Sequence, residues 1–148
     1  MRLWHYKLIP FLPKSQLIAQ WRELNSIFKK QDKHILINYV YDYSGEDLFI
    51  YTKIVVFEMI DRGIQIKSFK NFEKYFRLKN QKLLTYKIYR SPFKKHHNDR
   101  YLLQCFYNLQ EKYDRGQKDF SEEQYKKLEN FVFHKEFVSF DPRKMVAH

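Results

Sequence analysis

Arg22 and Glu23 stand side by side in a segment whose apolar residues recur at helical spacing. Leu17, Trp21, Leu24 and Phe28 form one stripe at four-three-four intervals. Neighbours on a helix diverge by about 100°, so this stripe leaves Arg22 and Glu23 on the other half with Ala19, Ser26 and Lys30. Gln16, seven residues before Glu23, lies on the same side as that carboxylate. Arg2, Leu3, Trp4 and His5 precede the helix closely enough to fold over it. A carboxylate beside a chain terminus and several cations is a workable acid–base site for chemistry on a nucleic acid. The competing reading is that Arg22 and Glu23 are ordinary exposed helix residues.

Other chemistry is sparse. The six histidines are His5, His34, His96, His97, His134 and His148, and none forms an HxxxH or HExxH pair, so no metal site is expected. His96–His97 reads as a helix-entry or surface pair. Cys105 is alone, which excludes an internal disulfide, a CxxC redox pair and a paired-cysteine zinc site. Its place between Leu102 and Leu109 makes it a buried, inert thiol. There is no Gly-rich phosphate loop, GxSxG elbow or DxD pair, and three glycines in 148 residues exclude the nucleotide-binding folds. No cofactor is implied.

Charge narrows the partner. The formal net charge is +11, and residues 66–100 carry eleven basic residues against two acids, Glu73 and Asp99. Phe69, Phe72, Tyr75, Phe76, Tyr86 and Tyr89 are interleaved with those cations. Clustered positive charge among aromatic rings suits a phosphate backbone with bases beside it, and Arg90, Lys94 and Lys95 are the cations chosen to track it. Composition bias explains the lysine total better than it explains their clustering. The basic stretch has no clean amphipathic helix for a membrane surface. No run approaches the roughly 18 apolar residues of a membrane span, and the N-terminus is too broken by charge and proline for a signal peptide. A cytoplasmic protein, monomeric and without an obligate protein partner, is the expectation.

The elements that must position these residues read as mainly α, in one compact helical domain over residues 1–148. The first helix runs from about Pro13 to Lys30 and the second from about Glu46 to Arg62, closed by Gly63. The middle of the second is apolar around most of its circumference, which places it centrally. A third helix is expected from about Asp99 to Tyr113, with Gly116 beyond its end. A fourth begins at Ser121, where Ser121 and Gln124 form a capping-box pattern. Residues 35–41 (ILINYVY) and 83–90 (LLTYKIYR) read as short extended segments. The tail from about residue 141 is expected to be loosely held.

Gln16-Leu-Ile-Ala-Gln-Trp-Arg-Glu-Leu24 resembles the first-helix signature of the pyrimidine-dimer DNA glycosylase family, known from a phage repair enzyme and bacterial relatives. Arg22, Glu23 and Leu24 fall on the family triplet without gaps from the N-terminus. Lys33-His34, Asn38-Tyr39-Val40-Tyr41, Tyr43-Ser44, Leu48 through Ile64 and His97-Asn98-Asp99 resemble the bacterial branch. So does the Tyr101, Leu102, Cys105, Asn108, Leu109 pattern. The resemblance covers roughly residues 1–66 and 96–110.

This resemblance implies a mostly helical domain that kinks double-stranded DNA and flips a nucleotide out of the stack. It implies a glycosylase and AP lyase in which an N-terminal α-amine attacks C1′ of the damaged nucleotide and leaves an imine. Glu23 would then assist sugar opening and β-elimination. An α-amine with a pKa near 8 is partly neutral at pH 7, and neighbouring cations lower it further. Arg22 would hold phosphate or the flipped nucleotide, with Arg2, His5, Lys7, Gln16, Lys33 and His34 around the same spot. The chain differs from phage members at Arg2, where they expose a small residue after Met removal, so the nucleophile here would be the Met1 amine. It differs again at Gln16, a histidine in phage members, and at Phe140–His148, where their aromatic C-terminal stretch has no counterpart. The rival is a DNA- or RNA-binding protein that keeps the fold without the amine chemistry, and a histidine-based metal nuclease comes third.

Overall fold

The computed structural model describes residues 2–31 and 33–133. Met1, Asp32, His134, His148 and the tail from about residue 141 lie outside the described residues. Six α-helices follow an extended N-terminal segment: α1 (Lys14–Lys30), α2 (Gly45–Asp61), α3 (Lys70–Phe76), α4 (Asn80–Thr85), α5 (Asp99–Asp114) and α6 (Glu122–Phe133). Two 3-10 turns, Tyr6–Phe11 and Asn38–Asp42, precede α1 and α2. No strand occurs among the described residues. The protein is mainly α.

The apolar circumference of α2 determines its place. Leu48, Phe49, Ile50, Tyr51, Val55, Val56 and Met59 are all buried, and α1, α4 and both 3-10 turns pack around the helix. On α1 the stripe is buried at Leu17, Leu24 and Phe28. Trp21 is half-buried, edge-on to Phe28 and Phe69. The helix ends are chemically marked. At the close of α2 the Gly63 N–H bonds to the Ile60 carbonyl and the Ile64 N–H to Met59, a Schellman arrangement that needs the positive φ of Gly63. Gly116 does the same for α5, with the Gln117 N–H on the Lys112 carbonyl. Ser121 and Gln124 exchange both bonds of the capping box, at 2.8 and 3.1 Å.

Residues 35–41 are not extended. They form a turn and the second 3-10 turn, because Ile37 and Val40, three residues apart, are the ones drawn into the core and three is the 3-10 repeat. Of residues 83–90, Leu83–Thr85 finish α4 and only the stretch from Tyr86 runs extended.

Candidate active site

The N-terminal segment is laid along α1 by one side chain. Gln20 accepts the Trp4 N–H on Oε1 at 2.7 Å and donates from Nε2 to the Arg2 carbonyl at 3.0 Å. The Tyr51 hydroxyl, from α2, lies 2.6 Å from the Trp4 carbonyl and 2.8 Å from Gln20 Oε1. Gln20 is only 2 % exposed, so these bonds satisfy a buried amide that would otherwise cost about 1–3 kcal/mol. Tyr101 of α5 fixes the next residue by donating to the Leu3 carbonyl at 2.6 Å.

One helical turn on from Gln20 stands Glu23. Both line a cleft of about 470 Å³ between the N-terminal segment, α1 and the C-terminal half of α5. Arg2, Trp4, Gln16 and Ala19 complete the near wall, and Asn108, Glu111, Lys112, Arg115 and Gln117 the far one. Glu23 Oε2 is sealed from solvent. The cleft that Glu23 lines also holds three cations, Arg2, Lys112 and Arg115, of which Arg115 is paired with Glu111 at 2.9 Å. Its charged lining is thus three cations against two carboxylates, Glu23 and Glu111.

The floor of the cleft is braced by the α5–α6 connection. Asp119 accepts from the Ser15 N–H at 2.7 Å and from its hydroxyl at 3.1 Å, and so caps α1 from outside, since Pro13 offers no side-chain cap. Gln117 donates to Asp119 Oδ1 at 2.7 Å and receives Gln16 Nε2 at 3.4 Å. Burial raises the Asp119 carboxyl, but the bonds from Ser15 and Gln117 outweigh it and hold the group below the usual carboxylate range.

Of the residues singled out in the sequence, Arg2, Gln16 and Glu23 come together in this cleft. Arg22 is exposed on α1 and does not line it, and Met1 lies outside the described residues. Lys7 is exposed on the first 3-10 turn. Lys33 and His34 are exposed in the turn after α1, with Lys33 Nζ 5.9 Å from the Tyr41 ring and His34 Nδ1 accepting the Leu36 N–H. Lys94 and Lys95 are exposed ahead of α5.

Three expectations are corrected. His5, expected among the DNA contacts, is 2 % exposed and stacked on Tyr6, an internal residue of the N-terminal segment. His97 is likewise buried, while His96 stays outside, stacked on Tyr39 at 4.6 Å. Nor are the aromatics of residues 66–100 a row of free stacking faces. Phe72 is fully buried, Phe69, Tyr75, Phe76 and Tyr86 pack against the core, and Tyr89 alone of the six is exposed. Arg90 is held in place too, bonded to Glu46 at 3.0 Å and Asp47 at 2.8 Å, while Asp47 also accepts the Phe93 N–H. Tyr86, Arg90 and Tyr89 all donate to Glu46 and hold its carboxyl below the usual range.

The far wall escaped the sequence. Asn108, Glu111, Lys112 and Arg115 are spaced three or four apart across one face of α5 (108 to 111 or 112, and those to 115), but nothing local says that this face meets α1. Gln20 was legible in principle as the polar residue midway between Gln16 and Glu23.

Fold and cleft thus define a mainly α protein with a carboxylate set in a cleft of mixed charge, three cations against two acids. A protein-family model described as pyrimidine dimer DNA glycosylase matches residues 1–72, the stretch that carries the N-terminal segment, α1 and α2. The match supports a DNA-repair, glycosylase-like role at the level of the family. Neither a curated protein nor a solved structure matches the chain. Among the described residues no helix is long and apolar enough to cross a membrane, and no three His, Cys, Asp or Glu side chains are placed to hold a metal ion.

Proposed function

We propose that this chain is a DNA glycosylase and AP lyase that acts on damaged double-stranded DNA through an imine formed by the Met1 α-amine. The observation that carries the reading is the pinning of the Arg2 carbonyl and Trp4 amide by Gln20, one helical turn from Glu23 in the same cleft. Backbone held at residue 2 beside the cleft that Glu23 lines supports a reaction shared by the terminal amine and that carboxylate. The amine nitrogen bonds to C1′, the base departs with the glycosidic electron pair, and sugar opening leaves the imine. Glu23 then serves as the proton acceptor for β-elimination of the 3′ phosphate. Arg2 and Lys112 oppose the negative charge of the flipped nucleotide, Gln16 supplies an amide, and Arg22, Lys7, Lys33, His34, Lys94 and Lys95 meet the duplex outside the cleft.

Borohydride trapping on an abasic duplex tests this, because only an imine-forming enzyme becomes covalently attached to the DNA. Trapping with the free terminus, and its loss when the terminus is acetylated, is the expected pair of results. Binding without trapping would establish the rival, a non-catalytic nucleic-acid-binding protein with this fold. Trapping that persists after acetylation would move the nucleophile to a lysine such as Lys7 or Lys33.

A further inference from the structure

Two buried imidazoles that the proposed chemistry does not use sit behind the N-terminal wall of the cleft. His97 Nδ1 accepts the Tyr6 N–H at 3.1 Å, and its Nε2 lies 2.7 Å from the Tyr39 hydroxyl. His5 Nδ1 accepts the Lys7 N–H at 3.1 Å, and the same ring bonds to the backbone of His97 and Asn98. The two rings are 5.2 Å apart. An Nδ1 that accepts an amide proton cannot carry one, so both rings are assigned from the network as neutral with the hydrogen on Nε2. His97 lies beyond the stretch matched to the glycosylase family, yet it grips the backbone two residues from Trp4.

We propose that His97 is a positioning residue for the cleft, one that fixes the N-terminal segment against α5 only while its imidazole and that of His5 are neutral. Protonating either ring puts a hydrogen on the nitrogen that receives Tyr6 or Lys7, and so converts an accepted bond into a clash of two donors. Burial and the Lys7 charge oppose a proton on His5 and outweigh its bonds to the backbone of His97 and Asn98. Facing the pair are Lys7 and Tyr6 from the segment itself, Tyr39 from the second 3-10 turn, Tyr51 from α2, and His96 and Phe93 from the stretch before α5. Tyr101 and Cys105 of α5, with Arg2 beside them, close the far side. The nearby carboxylate, Asp47, is committed to Arg90 and the Phe93 amide. Desolvation by burial lowers both imidazoles first; the Lys7 charge then lowers His5, to about 4, and the charges of His5 and His96 lower His97. His96–His97, unassigned by the site, thereby divides into an outer residue and an inner clasp.

Two measurements on the full chain decide it. Long-range 1H–15N spectra should show His5 and His97 in the Nε2–H tautomer, unchanged from pH 8 to pH 5. An Nδ1–H tautomer at His97, or its titration within that range, overturns the proposal. Amide exchange then separates clasping from bulk stability. His97→Asn keeps an oxygen acceptor at the Nδ1 position and should retain Tyr6 protection, whereas His97→Gln, whose amide sits at the Nε2 end, should lose it by about tenfold relative to Ile50 in α2. Equal Tyr6 protection in the two variants overturns the proposal. The link to catalysis rests on the lyase reading: His97→Gln should lower kcat on an abasic duplex with little change in KM, and His97→Asn should restore it. A wild-type chain that binds but never traps defeats the lyase reading alone, since tautomer and exchange still report on the clasp.

Discussion

Gln20 Oε1 accepts the Trp4 amide proton at 2.7 Å, so a buried side chain in the middle of α1 dictates where the chain begins its path. The same amide holds the Arg2 carbonyl and meets the Tyr51 hydroxyl. Replacing Gln20 by Ala strands the Trp4 amide and the Arg2 carbonyl, and leaves the Tyr51 hydroxyl with the Trp4 carbonyl alone.

The first prediction measures that anchor. Gln20→Ala should lose about 3 kcal/mol in urea unfolding, and Tyr51→Phe about 1 kcal/mol, because Trp4 keeps its acceptor in the latter. A loss under about 0.5 kcal/mol for Gln20→Ala would mean that water replaces the amide and that the segment is held elsewhere.

The second concerns Asp119, whose bonds to Ser15 bridge 104 positions of sequence. Asp119→Ala removes the side-chain acceptor that caps the first turn of α1 and should cost about 1–2 kcal/mol. The folded carboxyl titrates below its unfolded value, so its contribution is complete above about pH 4, the unfolded carboxylate range, and is lost as pH falls through the folded pKa. Wild type and variant should therefore converge in stability at strongly acid pH. A difference independent of pH would assign the effect to packing.

What the sequence disclosed, and what it hid, follows from the range of each signal. The α1 stripe, the apolar girth of α2, the glycines after α2 and α5 and the Ser121–Gln124 box are all contacts within a few residues, and local spacing reveals them. Helices α3 and α4 are seven and six residues long, too short for periodicity to emerge from a run crowded with lysine. Phe69, Phe72 and Phe76 looked available for bases because Phe72 and Phe76 pack on Phe28 and Phe49, and Phe69 on Trp21, all of them far away in sequence. Glu23 was legible from its helix face. The Lys112 and Arg115 side of its cleft was not, because a long-range helix contact leaves no local trace.

The third prediction sorts the cations of residues 66–100. Exposed Lys94 and Lys95 should each contribute up to about 0.9 to the negative log–log slope of duplex affinity against salt. Lys94→Ala with Lys95→Ala should flatten it by up to about 1.8. Arg90→Ala should leave the slope nearly unchanged but destabilise the fold by roughly 1–3 kcal/mol, since Asp47 would be left buried without its cation. The reverse pattern would free Arg90 for the backbone and retire the structural role.

Acid stability gives the fourth. The unfolded imidazole titrates near 6.5 and folded His5 at about 4, with His97 lowered in the same sense. Between those values the unfolded chain binds more protons, so this contribution is full above about pH 6.5 and drains away as pH falls. Each histidine adds a slope of up to about 1.4 kcal/mol per pH unit, visible from pH 6.5 to 5, above the carboxylate range. His5→Asn, which can still accept the Lys7 N–H, should flatten the slope by about half. An unaltered slope would place the proton uptake elsewhere.

The last prediction addresses the chemistry at Glu23. An abasic duplex is the least demanding substrate, because base release is already complete and only imine formation and elimination remain. Glu23→Gln keeps the size and the hydrogen-bonding shape of a side chain whose Oε2 is sealed from solvent, yet removes the proton acceptor. Cleavage should slow by about 100-fold, within the range of general acid–base contributions. Affinity should hardly change, since removing a negative charge from a cleft that also holds Arg2, Lys112 and Arg115 does not weaken its attraction for phosphate. Borohydride trapping should persist in the variant, because the amine is intact and only the elimination is slowed. Cleavage at the wild-type rate would remove Glu23 from the mechanism, and loss of both trapping and binding would show that the substitution had collapsed the cleft.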